Sequence, residues 1–199
     1  SAGDKLNQLT TAYYRQSLVW EPLAASSAGI AGFNRQYLPP LTQENIQARL
    51  LFEHSFLARA NAIDANELTV EGLLSLKHFK YLRNIAIESV LYPQQAMPFN
   101  QMYGVHNDFA LLGTGQREHS FNTYQGYLDF IERANGYVTY MDSALSQMRT
   151  GIKLGVVLPK VLVKKLIPQF KAHVVDSAKQ SIFWQPVAQM PASFTDSQQ

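Results

Sequence analysis

The spacing of the histidines indicates whether this chain could bind a catalytic metal ion. Zinc peptidases that carry two ligands on one helix place two histidines four residues apart, with a glutamate between them as general base. No two histidines here have that spacing, since they lie at positions 54, 78, 106, 119 and 173. We therefore expect no metal ligand, no cofactor-binding residue and no catalytic residue within this chain.

Other catalytic motifs are also missing. The Gly-x-Ser-x-Gly motif of a nucleophile elbow does not occur. Residues 113–118 begin like a dinucleotide-binding fingerprint, but Glu118 replaces the third glycine and no strand precedes it. The chain has no cysteine, which excludes disulfides, thiolate metal sites and a cysteine nucleophile.

The side chains best suited to polar ligand contacts lie in an irregular segment, residues 98–108. Amide, phenol, imidazole and carboxylate groups lie close together in it, on Asn100, Gln101, Tyr103, His106 and Asp108. Such groups can donate and accept hydrogen bonds to a ligand. Alternatively, the Asn and Asp side chains cap turns while the aromatic side chains fill the core. The sequence leaves both interpretations open.

Helical periodicity dominates the rest of the chain. A first helix carries Leu6, Leu9 and Tyr13 and ends before Pro22. Thr42 with Glu44, and Thr69 with Glu71, have the pattern of helix starts, where a hydroxyl caps the first turn and an acidic side chain faces the helix dipole. The helix after Thr42 is predicted to bury Ile46, Leu50 and Leu57, and the helix after Thr69 runs through Leu74, Tyr81 and Ile85.

The strongest helical pattern follows residue 123. Its largely apolar stripe consists of Tyr124, Leu128, Ile131, Asn135, Val138, Asp142, Leu145 and Met148. Gly151 stands where a helix would end, and Pro159 suits the first turn of the next helix. That helix is predicted to face inward with Val161, Leu162, Leu166, Phe170 and Val174, and to be kinked by Pro168.

These patterns predict an all-α bundle of five to seven helices. One helical domain is expected over residues 1–186, followed by a polar tail or linker at 187–199. A long irregular loop is expected at about residues 92–122, because Pro93, Pro98 and Gly104 interrupt any periodicity there.

Composition and charge narrow the function classes. Hydrophobic residues make up 46% of the chain, no apolar run approaches the roughly 20 residues that span a bilayer, and no targeting signal is present. Residues 149–179 hold seven basic side chains against Asp176 alone, within a chain of net charge +2. A basic strip can bind nucleic acid or an anionic membrane. We favour a solvated helix face and expect no nucleic-acid binding, because the strip has few aromatic residues.

Several motifs, in order along the chain, resemble the bacterial "domain of unknown function 885" family. Near the start they are Trp20-Glu-Pro-Leu-Ala-Ala25, Leu41-Thr-Gln-Glu-Asn45 and Asn66-Glu-Leu-Thr-Val-Glu71. A Pro-x-Asn-Gln loop follows in Met97-Pro-Phe-Asn-Gln101. The most recognisable block comprises Tyr124-Gln-Gly-Tyr-Leu128, Met148-Arg-Thr-Gly151 and Gly155-Val-Val-Leu-Pro159.

The resemblance carries implications beyond the residues themselves. Members of that family are usually longer and often exported or lipid-anchored, and they resemble zinc metallopeptidases with a His-Glu-x-x-His helix in the later half. The resemblance thus implies a periplasmic or cell-envelope location, and a zinc ion belonging to the later half rather than to this chain. We expect this chain to be the non-catalytic helical part of such a protein and to form one wall of a substrate cleft.

Two functional hypotheses follow. In the first, the substrate-cleft candidates are Asn100, Gln101, Tyr103, His106 and Arg149. Its partners would be the later half of the protein or a dimer partner, docked on an exposed apolar face, and a peptide substrate. In the second, the chain is a self-sufficient helical binding or scaffold module with no enzymatic role. An extensive exposed apolar surface favours the first hypothesis, and its absence favours the second.

Overall fold

The structure, a computed structural model, describes residues 1–102 and 104–195. These residues form α-helices and short 3-10 turns, with no strand among them, so the predicted all-α class is confirmed. The helices are α1 (Ala2–Ser17), α2 (Pro22–Ser27), α3 (Gln43–Asn61), α4 (Val70–Ser89), α5 (Val105–Leu112), α6 (Tyr124–Leu154), α7 (Lys160–Lys171) and α8 (Trp184–Ala188).

The predicted helix starts are confirmed and one predicted helix end is wrong. The Thr42 hydroxyl accepts from the Asn45 amide at 3.2 Å, and the Thr69 hydroxyl accepts from the Gly72 amide at 3.2 Å. Helix α6, however, continues through Gly151 and ends at Gly155, whose φ of 73° is left-handed. Gly151 is buried inside the helix, where an added methyl group would lie 2.5 Å from the Val156 carbonyl oxygen and 2.8 Å from the Ala96 methyl group.

The chain divides into two compact units. The first unit comprises residues 1–20 and 41–94, and the second comprises residues 21–40 and 95–199. Helices α1, α3 and α4 therefore belong to the first unit, and the other five belong to the second. The single domain over residues 1–186, with a tail after it, stays a prediction.

The first unit has a core shared by its three helices. Its buried members are Ala2, Leu6, Leu9, Phe56, Ala60, Ile63, Leu76 and Phe79. Two charged side chains are also buried there, Glu53 on α3 with 1% exposure and Arg83 on α4 with 8%. The carboxylate oxygens of Glu53 meet Arg49 Nε at 2.9 Å and Arg83 Nε at 2.6 Å, and Oε1 accepts from the Tyr13 hydroxyl at 3.1 Å. The Arg83 contact is an ion pair whose N–H does not point at the oxygen.

The second unit is built around aromatic side chains. Tyr37 lies between helices α5 and α6, with edge-on contacts to Phe109, Tyr137 and Tyr140 at centroid distances of 5.3–5.8 Å. Phe109 also stacks on Tyr137 at 4.0 Å. Burial raises the pKa of Tyr37 well above its ordinary value, so its phenol stays protonated at any physiological pH. The predicted irregular loop contains α5, which carries Phe109 into this core.

The apolar stripe predicted along α6 is not the face that packs. The buried side chains of α6 are instead Arg133, Tyr140 and Ala144, with Gly151. Apolar residues seven positions apart remain exposed by 44–67%, and we call them the α6 stripe: Ile131, Val138, Leu145 and Ile152. An uncovered apolar stripe of this length is unusual for a solvent-facing helix.

Two other predicted faces differ in the same way. On α4, Leu74, Tyr81 and Ile85 are exposed, while Leu76, Phe79 and Arg83 are buried against the first unit's core. On α7, Leu166 is buried as predicted. Val161 and Val174 were expected inside and are exposed by 59% and 81%. Each of these two helices therefore leaves apolar side chains that no neighbouring helix of its unit covers.

Candidate functional site

A chain of polar side chains joins α5 to α7 within the second unit. His173 Nε2 donates to Asn107 Oδ1 at 3.3 Å, and Asn107 Nδ2 donates to Gln169 Oε1 at 3.3 Å. The same Gln169 oxygen accepts from His106 Nε2 at 2.9 Å, while Gln169 Nε2 donates to the Gln101 carbonyl at 2.8 Å. We call His106, Asn107, Gln169 and His173 the polar cluster.

The directions of these bonds place a proton on Nε2 of His106. The Gln101 carbonyl can only accept, so Gln169 must present its oxygen to the imidazole, and His106 must carry its proton on Nε2. Its Nδ1, an acceptor in the neutral ring, is buried without a hydrogen-bond partner among the described residues. The ring is 2% exposed and stacks on Phe170 at 4.4 Å.

Gly104 closes over this imidazole. Its φ of 176° is ordinary extended backbone, but a methyl group added there would lie 3.1 Å from His106 Nδ1 and 3.2 Å from the Asn100 carbonyl. The lack of a side chain at Gly104 therefore leaves room for the His106 ring. Burial and the nearby His106 lower the pKa of His173, which favours the neutral imidazole that the cluster contains.

The predicted site residues are only partly brought together. The Gln101 carbonyl and the His106 ring share Gln169 as partner. Asn100 caps a turn, because its Oδ1 accepts from the Met102 amide at 2.8 Å. Arg149 is exposed on α6, and its guanidinium makes no ion pair or hydrogen bond with the described residues. Tyr103 lies outside the described residues. A role for these residues in substrate contact stays a prediction.

Sequence reasoning missed Asn107, Gln169 and His173. Gln169 lies in the last turn of α7 and His173 lies two residues beyond its end. Their four-residue separation is the spacing of neighbours on one side of a helix. That spacing was a sequence feature that could have identified the two residues. It could not show that they bind side chains more than 60 residues earlier in the chain. Among the described residues, no three His, Asp or Glu side chains are grouped to hold a metal ion. The polar cluster offers amide and imidazole groups, which can donate and accept hydrogen bonds.

An apolar pocket lies at the other end of α5. It has a volume of about 340 Å³ and is lined by aromatic and aliphatic side chains of α6, α8 and the segments beside them, including Tyr124, Tyr127, Leu128, Ile131, Val187 and Met190. The Tyr127 hydroxyl donates to the Pro186 carbonyl at 2.8 Å, so it is already engaged. Phe194 packs edge-on against Tyr127 with a centroid distance of 5.6 Å. The pocket therefore suits an apolar or aromatic group rather than an ion.

Gly113 determines whether this pocket can form. A methyl group there would overlap the Phe183 ring and lie 2.9 Å from Phe130 Cζ. We expect Gly113→Ala to displace α8 and to cost about 1–3 kcal/mol of unfolding free energy, since neither ring can move without disturbing the aromatic core. Trp184 fluorescence and protease cleavage after Lys179 would report the displacement.

The control is Gly72→Ala on α4, where the added methyl meets its neighbours at an ordinary 3.4 Å. That substitution should be neutral or stabilise by up to about 1 kcal/mol. A Gly113→Ala protein as stable and as protease-resistant as wild type would contradict the assigned packing of Phe183.

Arg133 holds residues 26–36 of the second unit, which we call the α2 region, against α6. The guanidinium is fully buried and donates to Gln36 O at 2.8 Å, Phe33 O at 2.8 Å and Ser26 Oγ at 2.6 Å. Its Nη1 donates to His119 Nδ1 at 3.1 Å. Burial lowers the pKa of Arg133 to about 10, so the group remains charged at neutral pH. All four partners are neutral, so this charge is stabilised by dipoles and not by a contacting carboxylate.

His119 makes the second unit sensitive to acid. Its Nε2 donates to the Gly126 carbonyl at 2.8 Å while Nδ1 accepts from Arg133, so the structure requires neutral imidazole. Burial, and secondarily the Arg133 charge, lower its pKa. The unfolded chain then binds more protons than the folded chain below about pH 6.5. Stability is full above that pH and is lost as the pH falls through the folded-state pKa.

We expect the urea midpoint of the Trp184 transition to fall between pH 7.5 and pH 5. In His119→Asn the fall should be smaller, because the amide oxygen can accept from Arg133 without titrating. Some of the fall should remain in this variant, because the pKa of His173 is also lowered by folding and therefore also destabilises the folded chain at acid pH. His78→Asn on α4, an exposed position, should leave the pH profile unchanged. Identical pH profiles for wild type and His119→Asn would contradict this assignment.

No helix among the described residues is both long and apolar enough to cross a bilayer.

The fold and the two sites together define an all-α protein that has a cluster of amide and imidazole groups and an apolar pocket. Residues 22–199 match a family described as bacterial protein of unknown function (DUF885). The chain belongs to this family, as its motifs implied. No curated protein and no solved structure matches the chain.

Proposed function

We propose that this chain is the non-catalytic helical part of a zinc-peptidase-like protein of the cell envelope, and that it forms one wall of a substrate cleft. The observation that carries the proposal is the α6 stripe. Four apolar side chains lie on one side of a 31-residue helix and remain 44–67% exposed. A stripe of this kind stabilises a protein only when another apolar surface covers it.

The spacing of the stripe suggests what covers it. Ile131, Val138, Leu145 and Ile152 recur every seven residues, and half-buried Ala134, Met141 and Met148 lie three residues after the first three. This is the a/d pattern by which one helix packs along another. A helix of the peptidase half is therefore the partner that we propose for this face.

The pocket at the start of α6 supports the part of the proposal that concerns substrate. Its aromatic walls suit one apolar side chain of a peptide, and Ile131 belongs both to the pocket and to the α6 stripe. The polar cluster lies at the opposite end of α5, an eight-residue helix about 12 Å long. Peptides combine apolar side chains with backbone amides, so the pocket would bind a side chain and the half-buried Gln101 side chain, beside the polar cluster, would bind backbone.

The chemistry is assigned to another part of the protein. The five histidines of this chain include no pair with the His-Glu-x-x-His spacing. Zinc would then be bound by residues of the peptidase half, and this chain would contribute binding surface only. A cell-envelope location is proposed from the family resemblance.

Two measurements test the proposal. The first is the coding sequence downstream of Gln199, which should encode a His-Glu-x-x-His motif, whereas a stop codon would leave the scaffold module as the better interpretation. The second is zinc content, because the purified chain should contain none. Stoichiometric, tightly bound zinc in this chain would contradict the non-catalytic role.

Aspartate substitutions on the α6 stripe should impair docking of a partner without impairing the folding of this chain. In this chain alone, Val138→Asp with Leu145→Asp should change the unfolding free energy by less than about 0.5 kcal/mol for each substitution, because both positions are solvent-exposed. In the natural gene product, the same substitutions should lower peptidase activity by at least about tenfold, since each charge would be desolvated at the interface.

The matched control is Val70→Asp with Leu74→Asp, two apolar positions of α4 that are exposed by 86% and 69%. These should leave activity unchanged. Equal loss of activity in both double variants would point to general damage, and no loss in the α6 variant would exclude the α6 stripe as the docking face.

A further inference from the structure

Helix α7 carries a surface that neither the polar cluster nor the α6 stripe uses. Its lysines are exposed, and none forms an ion pair with any described residue. At 100° per residue, Lys160, Lys164 and Lys171 fall within about 40° of one another around the helix. Leu166, the buried residue of α7, lies on roughly the opposite side. These three lysines therefore form one outward row, which we call the lysine face, whereas Lys165 lies about 120° around the helix from Lys171.

Apolar side chains flank this lysine face. Ile167 lies within about 20° of Lys160 around the helix, and Val163 follows on the same flank, while Val161 lies on the other. Their exposed fractions are 49%, 39% and 59%. The connection leading into α7 also exposes Leu154 and Val157, by 65% and 54%. A purely solvated face does not require exposed valine and isoleucine between its lysines.

We propose that the lysine face of α7 binds the surface of an anionic lipid bilayer. Lysine ammonium groups would contact lipid phosphates, while their alkyl stems lie beside apolar side chains that enter the headgroup boundary. The charge is complementary, because residues 149–179 hold seven basic side chains and only one acidic side chain. This inference is independent of the peptidase proposal.

The same residues argue against nucleic acid as the ligand. Binding to single strands relies on exposed aromatic platforms. Phe170, the aromatic residue of α7, is instead stacked on the buried His106 ring. Exposed aliphatic side chains add nothing to phosphate recognition, whereas they strengthen contact with a bilayer.

The test is co-sedimentation of the whole chain with vesicles. Binding is expected to vesicles of phosphatidylglycerol mixed with phosphatidylcholine and not to vesicles of phosphatidylcholine alone, and it should weaken as NaCl is raised. Each lysine should contribute about fivefold to partitioning, so Lys160→Gln, Lys164→Gln and Lys171→Gln together should weaken binding by about a hundredfold. Val161→Ser with Ile167→Ser should weaken it severalfold.

The control is a triple variant of the first unit, Lys5→Gln with Lys77→Gln and Lys80→Gln, which removes the same charge. Circular dichroism should show that all variants keep their helices. Retained vesicle binding in the control supports the assignment. Equal loss in both triple variants, no binding of the wild-type chain, or stronger retention on duplex DNA than on anionic vesicles would overturn it.

Discussion

Replacing Arg133 with methionine should destabilise the second unit by about 3–5 kcal/mol, the largest effect that we expect from one substitution in that unit. Methionine has a similar length and removes a buried charge, which would be favourable by itself. The loss arises because Gln36 O, Phe33 O, Ser26 Oγ and His119 Nδ1 would all lose their donor. Each buried acceptor left without a partner costs about 1–3 kcal/mol, partly relieved by local movement.

The measurement is urea unfolding followed by Trp184 fluorescence in a Trp20→Phe background, which confines the signal to the second unit. Arg133→Lys should recover only part of the loss, because one ammonium group cannot reproduce the directions of the guanidinium donors. Arg149→Met is the matched control on the same helix and should change stability by less than about 0.5 kcal/mol, since Arg149 is exposed. A wild-type midpoint for Arg133→Met would show that Arg133 does not hold the α2 region.

Replacing Glu53 with glutamine should cost the first unit about 3 kcal/mol or more. The substitution keeps the side chain's shape and one acceptor oxygen, so packing is preserved and only the charge is removed. Arg83, which is nearly buried, and Arg49 would then be two guanidinium groups without a counter-charge. Arg83 also lies 3.7 Å over the Tyr13 ring, a contact too weak to stabilise the cation alone.

Trp20 fluorescence in a Trp184→Phe background would follow this transition, because Trp20 belongs to the first unit. Glu44→Gln, an exposed acidic residue in the first turn of the same helix, is the matched control and should cost less than about 1 kcal/mol. Adding Arg83→Met to Glu53→Gln should restore part of the stability if the uncompensated charge is the cause. A double variant less stable than Glu53→Gln would point to lost packing instead.

The helices themselves could be predicted from the sequence because their signals are local. Thr42 and Thr69 cap helices through a hydroxyl only three residues from the amide that it accepts from. The end of α6 was misplaced by four residues because Gly151 and Gly155 are both able to end a helix. The later glycine ends the helix, and Gly151 is instead the position where the Val156 carbonyl and the Ala96 methyl group both approach the backbone too closely for a side chain.

The buried faces could not be predicted in the same way. Apolar periodicity identified amphipathic stripes on α4 and α6, yet Leu74, Tyr81, Ile131 and Val138 are exposed. The packed face of α6 instead carries Arg133, Tyr140 and Ala144, which hydrophobicity alone does not identify as a buried face. Arg133 is buried because carbonyls nearly 100 residues earlier in the chain supply its acceptors.

The candidate site shows the same division. The sequence identified the loop that carries Gln101 and His106, because polar side chains cluster there locally. It could not identify Gln169, whose amide joins both of them across more than 60 residues. The all-α class, the helix starts, the basic segment and the family membership were thus determined by residues close together in the chain. Which apolar faces are covered, and which polar groups meet, was decided only by tertiary structure, because burial and hydrogen-bond pairing depend on neighbours that are distant in sequence.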